Sequence, residues 1–282
     1  MHILISNDDG YRAPGIAALV QACRRIGSHV RISVVAPEQN ASGTSNALTL
    51  TRPLSVFRAH LPAWGDAPAH AAQDIQPEQM AHVVNGTPAD SVHLALTGLL
   101  DSPPDLIVSG INQGENMAED TLYSGTVAAA MEGYLFGVPA LAFSLQGKGW
   151  GSLAESVGAV EGVLRQVLSR WDDLRGQPWL LNVNMPARPD VAALPIELTR
   201  LGKRHASAPC MPQTSPRGDT IYWIGPAGEM KDDLPGTDFH AVAQGRLSVT
   251  PLQGDLTAPE MLPPGQRSTT PMAVWRSLWP AL

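Results

Sequence analysis

The stretch that most constrains the fold is Met1-His2-Ile3-Leu4-Ile5-Ser6-Asn7-Asp8-Asp9-Gly10, an apolar run that ends in two adjacent carboxylates and a glycine. Ile3 to Ile5 reads as a buried strand, and Asn7 to Gly10 as the loop at its carboxyl end. Gly10 can take backbone angles that other residues avoid. Pro14-Gly15 enters a helix in which Ile16, Leu19, Val20 and Cys23 recur at helical spacing. Arg24 and Arg25 fall in its last turn, where cations suit the helix dipole. Val30 to Ala36 is then a second strand. Strand, helix, strand is a βαβ unit, which predicts an α/β fold with a central parallel sheet. In such sheets ligands bind outside the carboxyl ends of the strands, at a switch in strand order.

Composition removes several function classes. The chain has 282 residues, 44% hydrophobic and 16% charged, which predicts a folded globular protein. A net charge of −7 argues against a face for a nucleic-acid polymer, which needs a basic stripe, although a single nucleotide can still be a substrate. Cys23 and Cys210, far apart, suggest neither a disulfide framework nor a zinc cluster. No apolar run reaches about 18 residues, so no membrane span is expected. The first residues lack the pattern of a secretory signal, and the expectation is a cytoplasmic protein without a membrane partner.

The rest of the chain supplies polar loops after strands. Glu38 to Asn46 follows the second strand. Leu48 to Leu50 and Leu54 to Phe57 read as short extended segments, and residues 59–80, rich in Ala, Pro, His and Gln, as a surface insertion. In Asn85-Gly86-Thr87-Pro88-Ala89-Asp90, Thr87 is an N-cap, Pro88 the first helical residue and Asp90 an acid in the first turn. Asp105 to Ser109 is a buried strand that feeds a loop, Gly110 to Asn116. Tyr123-Ser124-Gly125-Thr126 opens a further helix; its hydroxyls and free N–H groups either hold an anion or merely cap the helix. Strands at Gly137 to Phe143 and Leu180 to Asn184, with a helix between them from Leu153 to Trp171, complete a core at residues 1–194. Over 195–282 the pattern becomes β-rich, with strand-like pieces at Ile196 to Leu201, Thr220 to Ile224 and Arg246 to Thr250. No helix is expected there before Pro271 to Leu278. Such an extension can serve as an oligomer arm; Tyr222-Trp223 suits an interface or core packing. The basic cluster Arg200, Lys203, Arg204 and His205 either steers an anion or is a solvated face.

The loops at 7–10, 38–46, 85–90 and 110–126 should share one edge of the sheet. Asp8 and Asp9 repel each other unless a proton or cation lies between them. By itself Asp-Asp-Gly also suits a solvated turn. With a loop Ser and an Asn the pair makes an all-oxygen donor set, which suits a hard divalent cation beside a phosphate cradle. Phosphoryl hydrolysis is the chemistry such a site favours. The P-loop, the dinucleotide fingerprint, the Asp-x-Asp pair, His-Glu-x-x-His and Gly-x-Ser-x-Gly are all missing.

Ser6-Asn7-Asp8-Asp9-Gly10, Asn40-Ala41-Ser42-Gly43, Gly86-Thr87-Pro88-Ala89-Asp90, Val108-Ser109-Gly110-Ile111-Asn112 with Gly114 and Asn116, and Tyr123 through Gly133 together resemble the SurE family, the stationary-phase survival nucleotidases. Pro216 to Gly225 and Gly236-Thr237-Asp238-Phe239 extend the likeness into the β-rich segment. The resemblance implies a Rossmann-like core and a carboxy-terminal arm exchanged in a homodimer or homotetramer. It implies a metal-dependent phosphatase acting on nucleoside 5′- and 3′-monophosphates, with some activity on short polyphosphate. One divalent cation per subunit, Mg²⁺ or Mn²⁺, would be held by Asp8, Asp9, Ser42 and Asn112, with Asp8 and Asp9 catalytic. Asn7, Asn116, Ser124, Gly125 and Thr126 would bind the phosphate. Two departures stand out: the family commonly has a basic residue where this chain has Ala41, a loss that Arg12 could make good, and the 59–80 insertion is long. A nucleotide- or sugar-phosphate-binding sensor without turnover is the alternative function, and a metal-dependent glycosyltransferase a weaker one.

Overall fold

The computed structural model describes residues 1–62, 80–257 and 272–279. In chain order the elements of the first half are β1 (His2–Ser6), α1 (Pro14–Ile26), β2 (Arg31–Pro37), β3 (Val56–His60), β4 (Met80–Val84), α2 (Pro88–Leu94), β5 (Leu106–Gln113) and α3 (Gly125–Leu135). They continue with β6 (Ala140–Leu145), α4 (Leu153–Ser169), α5 (Trp171–Leu174), β7 (Leu180–Met185) and β8 (Ile196–Leu198). The last are β9 (Lys203–Arg204), β10 (Met211–Thr214), β11 (Thr220–Trp223), β12 (Met230–Asp232), α6 (Asp238–Ala243), β13 (Leu247–Leu252) and α7 (Met272–Leu278).

Among the described residues the main sheet has nine strands in the order β3-β4-β2-β1-β5-β6-β7-β13-β8. β1 pairs in parallel with β2 on one side and β5 on the other, which makes it the switch point. Its side chains alternate between two cores: Ile3 and Ile5 pack with α1 and α4, Leu4 with α2 and α3. Both faces are covered, as a parallel sheet requires, because helical crossovers lie on both sides of it. The result is a mostly parallel α/β fold with additional C-terminal strands.

Several details differ from the sequence expectations. The Gly110 to Asn116 segment is not all loop. β5 runs on to Gln113, with a register shift between Ser109 and Asn112, and Asn112 and Gln113 pair with Ser144 and Leu145 of β6. Polar residues hid a strand whose carboxyl end faces the cleft instead of the core. A helix, α6, interrupts the β-rich segment where none was expected. Thr237 caps it by accepting from His240 N–H, and six residues are too few to show a helical period. The sheet also runs past residue 194: β13 lies antiparallel to β7 and parallel to β8. Buried Trp275 of α7 packs edge-on against Trp179 and stacks on buried Trp279, which docks this segment on the main core.

Of the insertion expected at 59–80, Ala59 and His60 end β3 and Met80 opens β4, while residues 63–79, His70 included, lie outside the described residues. Among the described residues no helix is long and apolar enough to cross a membrane.

Candidate active site

β1 ends in the core, and the chain turns at once into a cleft at the carboxyl edge of the sheet. Gly10 completes the turn with a φ of +91°, in the left-handed region. Asn7 is fully buried and serves this turn: its Nδ2 donates to Gly10 O at 2.9 Å. It therefore holds the loop and does not line the cleft.

Asp8 is 3% exposed and lies against the start of α3. The Thr126 hydroxyl donates to its Oδ1. An added Cβ on Gly125 would fall 2.7 Å from Asp8 Cβ, so only glycine permits this approach. Burial pushes the Asp8 carboxyl up to about 6; the Thr126 hydrogen bond opposes the shift and the charge of Asp9 adds to it. Asp9 is half-buried, with its own carboxyl raised by burial. It accepts from Asn40 Nδ2 at 3.1 Å and from Gln113 N–H at 3.2 Å. Two adjacent carboxylates, both desolvated, with only neutral donors around them, form a site that gains from a cation.

The remaining oxygens come from two loops. Ala41 N–H donates to Asp8 O at 2.8 Å, which brings the loop after β2 beside the pair. Ser42 follows, exposed, its N–H held by Asn40 Oδ1 at 2.9 Å. Asn112 commits Nδ2 to Gly114 O at 2.8 Å, which leaves Oδ1 available as an oxygen ligand. Asn116 is buried and held from several directions. Its N–H donates to Asn184 Oδ1, its carbonyl accepts from the amides of Asn182 and Asn184, and its Nδ2 donates to Ser144 Oγ at 2.8 Å. Ser124 caps α3 by accepting from Val127 N–H at 3.1 Å.

A cavity of about 270 Å³ joins these groups: Asp8, Ser42, Asn112, Asn116, Asp120 and Ser124 line it. Of the residues expected in the site, the structure brings these together except Asp120, which is new. It sets Asp9 in the adjoining turn, Gly125 and Thr126 against Asp8, and Asn7 below. Arg12 lies with its guanidinium over the Tyr11 ring, 5.2 Å from the centroid, and is not among the residues that line this cavity. Among the described residues no three His, Cys, Asp or Glu side chains gather as a metal cluster. The donors here are instead two carboxylates, an amide oxygen and a hydroxyl, which fit a hard cation and suit zinc poorly.

Sequence reasoning missed the supports of these groups. Asn40 and Gln113 orient Asp9, and Asn182, Asn184 and Ser144 fix the Asn116 loop. One signal was available, since Leu180-Leu181-Asn182-Val183-Asn184 puts amides at alternate positions of a buried strand, on one face of the sheet.

A mostly parallel α/β sheet with an acidic, oxygen-lined cleft at the carboxyl end of its central strand defines a Rossmann-like protein with its site at the switch point. Residues 3–208 match the family model described as "Survival protein SurE". The solved structure of the SurE protein from Aquifex aeolicus is 36% identical to this chain, with a TM-score of 0.71. The match covers 93% of this chain and 97% of that one. The chain belongs to the SurE family. That family is one of nucleotidases and phosphatases, generally metal-dependent, and membership supports a nucleotidase role in general.

Proposed function

We propose that the chain is a divalent-metal-dependent phosphatase that hydrolyses nucleoside 5′-monophosphates to nucleoside and phosphate. Nucleoside 3′-monophosphates and short polyphosphate are further substrates. The observation that carries this is the buried Asp8, its carboxyl raised to about 6 beside Asp9, opening on the cavity that Ser42, Asn112 and Ser124 also line. Asp8, Asp9, Ser42 and Asn112 would hold one Mg²⁺ or Mn²⁺ per subunit. Such a cation neutralises phosphate charge and makes water a better nucleophile. Thr126 holds Asp8 in place through its hydroxyl, so the carboxylate is preorganised at the cavity wall. The amino end of α3, capped by Ser124, faces the same cavity and favours an anion there. Asn116, fixed by three side chains, adds a rigid polar group beside it. Phosphate release from a panel of mononucleotides, with Mg²⁺, Mn²⁺ or EDTA, tests the reading. Release that needs the cation and falls by orders of magnitude in Asp9→Asn supports it. Nucleotide binding without release would make the chain a sensor instead.

We also propose a homodimer or homotetramer formed through the arm. On the β10–β11 hairpin Tyr222 is 67% and Trp223 59% exposed, and Ile224 beside it is 92% exposed. An isolated two-stranded hairpin is marginal in water, and such an apolar surface suits a partner. Light scattering should show a larger particle for the wild type than for Tyr222→Ser/Trp223→Ser; equal masses would remove the arm from the assembly.

A further inference from the structure

A second cavity, of about 410 Å³, lies across the segment that carries Ser42. Asn40, Ala41 and Thr44 line it, whereas Ser42 and Gly43 of the same segment line the cavity with Asp8. The segment is thus a wall between the two. It is fixed to the carboxylate pair by Ala41 N–H on Asp8 O and Asn40 Nδ2 on Asp9 Oδ1. The opposite wall includes Asn85-Gly86-Thr87, the start of a motif that the carboxylate site leaves unused.

That wall is built on one buried carboxylate. Asp90 is 2% exposed. Its Oδ1 accepts from Thr49 N–H at 2.8 Å, and its Oδ2 from the Thr49 hydroxyl at 2.6 Å and Thr87 N–H at 2.9 Å. Burial alone would raise Asp90; the hydrogen bonds from Thr49 and Thr87 outweigh it and hold the carboxyl below its ordinary value. A Cβ on Gly86 would fall 2.6 Å from Asp90 Oδ2, so glycine is needed for the chain to pass. These contacts preform the cavity before any ligand arrives.

The lining selects the ligand. Among the described residues the lining holds one cation, Arg52, which donates to the carbonyls of Asn85, at 2.5 Å, and Pro53, at 3.2 Å. Glu38 adds negative charge to the lining. A second phosphate group would meet the charge of Glu38 and a guanidinium with two of its N–H groups already held by carbonyls. A neutral group rich in hydrogen-bonding atoms fares better: Asn85 accepts Ser55 N–H on Oδ1 at 2.8 Å, and its Nδ2 has no partner among the described residues. Among the described residues no aromatic side chain lines the cavity, so recognition by these residues rests on hydrogen bonds and not on stacking.

We infer that this second cavity takes the nucleoside part of the substrate, base and ribose, while the phosphate lies across the Ser42 segment beside Asp8. The inference rests on the nucleotidase reading above. The volume is in range, since small-molecule pockets run from about 300 to 1,000 Å³.

The test is phosphate release from adenosine 5′-monophosphate and from ribose 5-phosphate, which lacks the base, by wild type, Asn85→Asp and Arg52→Gln. Asn85→Asp keeps the oxygen that Ser55 N–H needs and removes the amide donor; any general effect of its charge falls on both esters and cancels in their ratio. The wild type should prefer the nucleotide in kcat/KM. Asn85→Asp should lower the ratio of nucleotide to sugar phosphate about tenfold, mostly through KM, the size expected for one lost hydrogen bond. A wild type without preference, or a ratio unmoved in both variants, overturns the inference. If wild type hydrolyses neither ester, the nucleotidase reading fails, and calorimetric titration with adenosine decides the cavity separately. Binding weakened in Asn85→Asp supports the assignment, and no binding by wild type overturns it.

Discussion

Replacing Asp8 with Asn should make the metal-free protein more stable at neutral pH. The Asp8 carboxyl is buried and pushed up to about 6, from an ordinary value of 3.8. A tenfold change in proton affinity is worth about 1.4 kcal/mol, so the gap amounts to about 3 kcal/mol. The folded state favours the protonated acid. Its contribution is complete below about pH 4, is lost as pH rises to about 6, and is gone above that. Asn has the same shape, carries no charge, and can still accept the Thr126 hydroxyl. In EDTA the stability of Asp8→Asn relative to wild type should therefore rise by about 3 kcal/mol between pH 4 and pH 7. For a chain of this size that is roughly 6–12 °C in Tm. Asp238, also raised by burial, is common to both proteins and cancels, while Asp9 gains a little from losing its charged neighbour, which adds to the advantage of the variant above pH 6. Differential scanning calorimetry across that range makes the measurement. Excess Mg²⁺ should then raise the Tm of the wild type above pH 6 by more than that of the variant, which keeps Asp9 but has lost one carboxylate ligand. A pH-independent difference, or a variant that loses ground as pH rises, would refute the reasoning.

Two further substitutions probe the geometry. Gly125→Ala puts a methyl group 2.7 Å from Asp8 Cβ and should cost about 1–3 kcal/mol with a large fall in kcat; unchanged turnover would show that Asp8 has room to move. Asp90→Ala strands the N–H groups of Thr49 and Thr87 and should cost about 2–3 kcal/mol in urea denaturation at pH 7. Because Asp90 is held low, that deficit should shrink on acidification below about pH 4.

The local signals in the sequence were strong where one element decides its own structure. The apolar run to Ile5, the proline-led entry of α1 and the Thr87-Pro88-Asp90 start of α2 are all where their residues put them; the last is a full capping box. These are short-range effects of period, cap and φ restriction. They sufficed for the α/β class, and the ordered motifs for the family. They failed where the partner is remote or the element short, as with α6, or with the end of β5, whose polar residues pair with β6 at the cleft.

The cleft divides the same way. The sequence by itself determined which oxygen groups the chain could offer: two carboxylates after the first strand, a serine and asparagines in later loops, and a hydroxyl-rich helix start. Only the tertiary structure decided what each one does. Asn7 turned inward to hold its own loop, where the family resemblance implied a phosphate contact. Thr126 is 118 residues from Asp8, yet its hydroxyl is spent on that carboxylate. Gln113, 104 residues from Asp9, orients it through a backbone N–H that no side-chain pattern can announce. The Gly86 to Asp90 motif, legible as a helix start, became the wall of a second cavity because Asp90 reaches back to Thr49. A residue's chemistry is written in its side chain, but its partner is chosen by how the sheet brings distant loops to one edge. Burial, which pushes Asp8 up to about 6, follows from that packing alone.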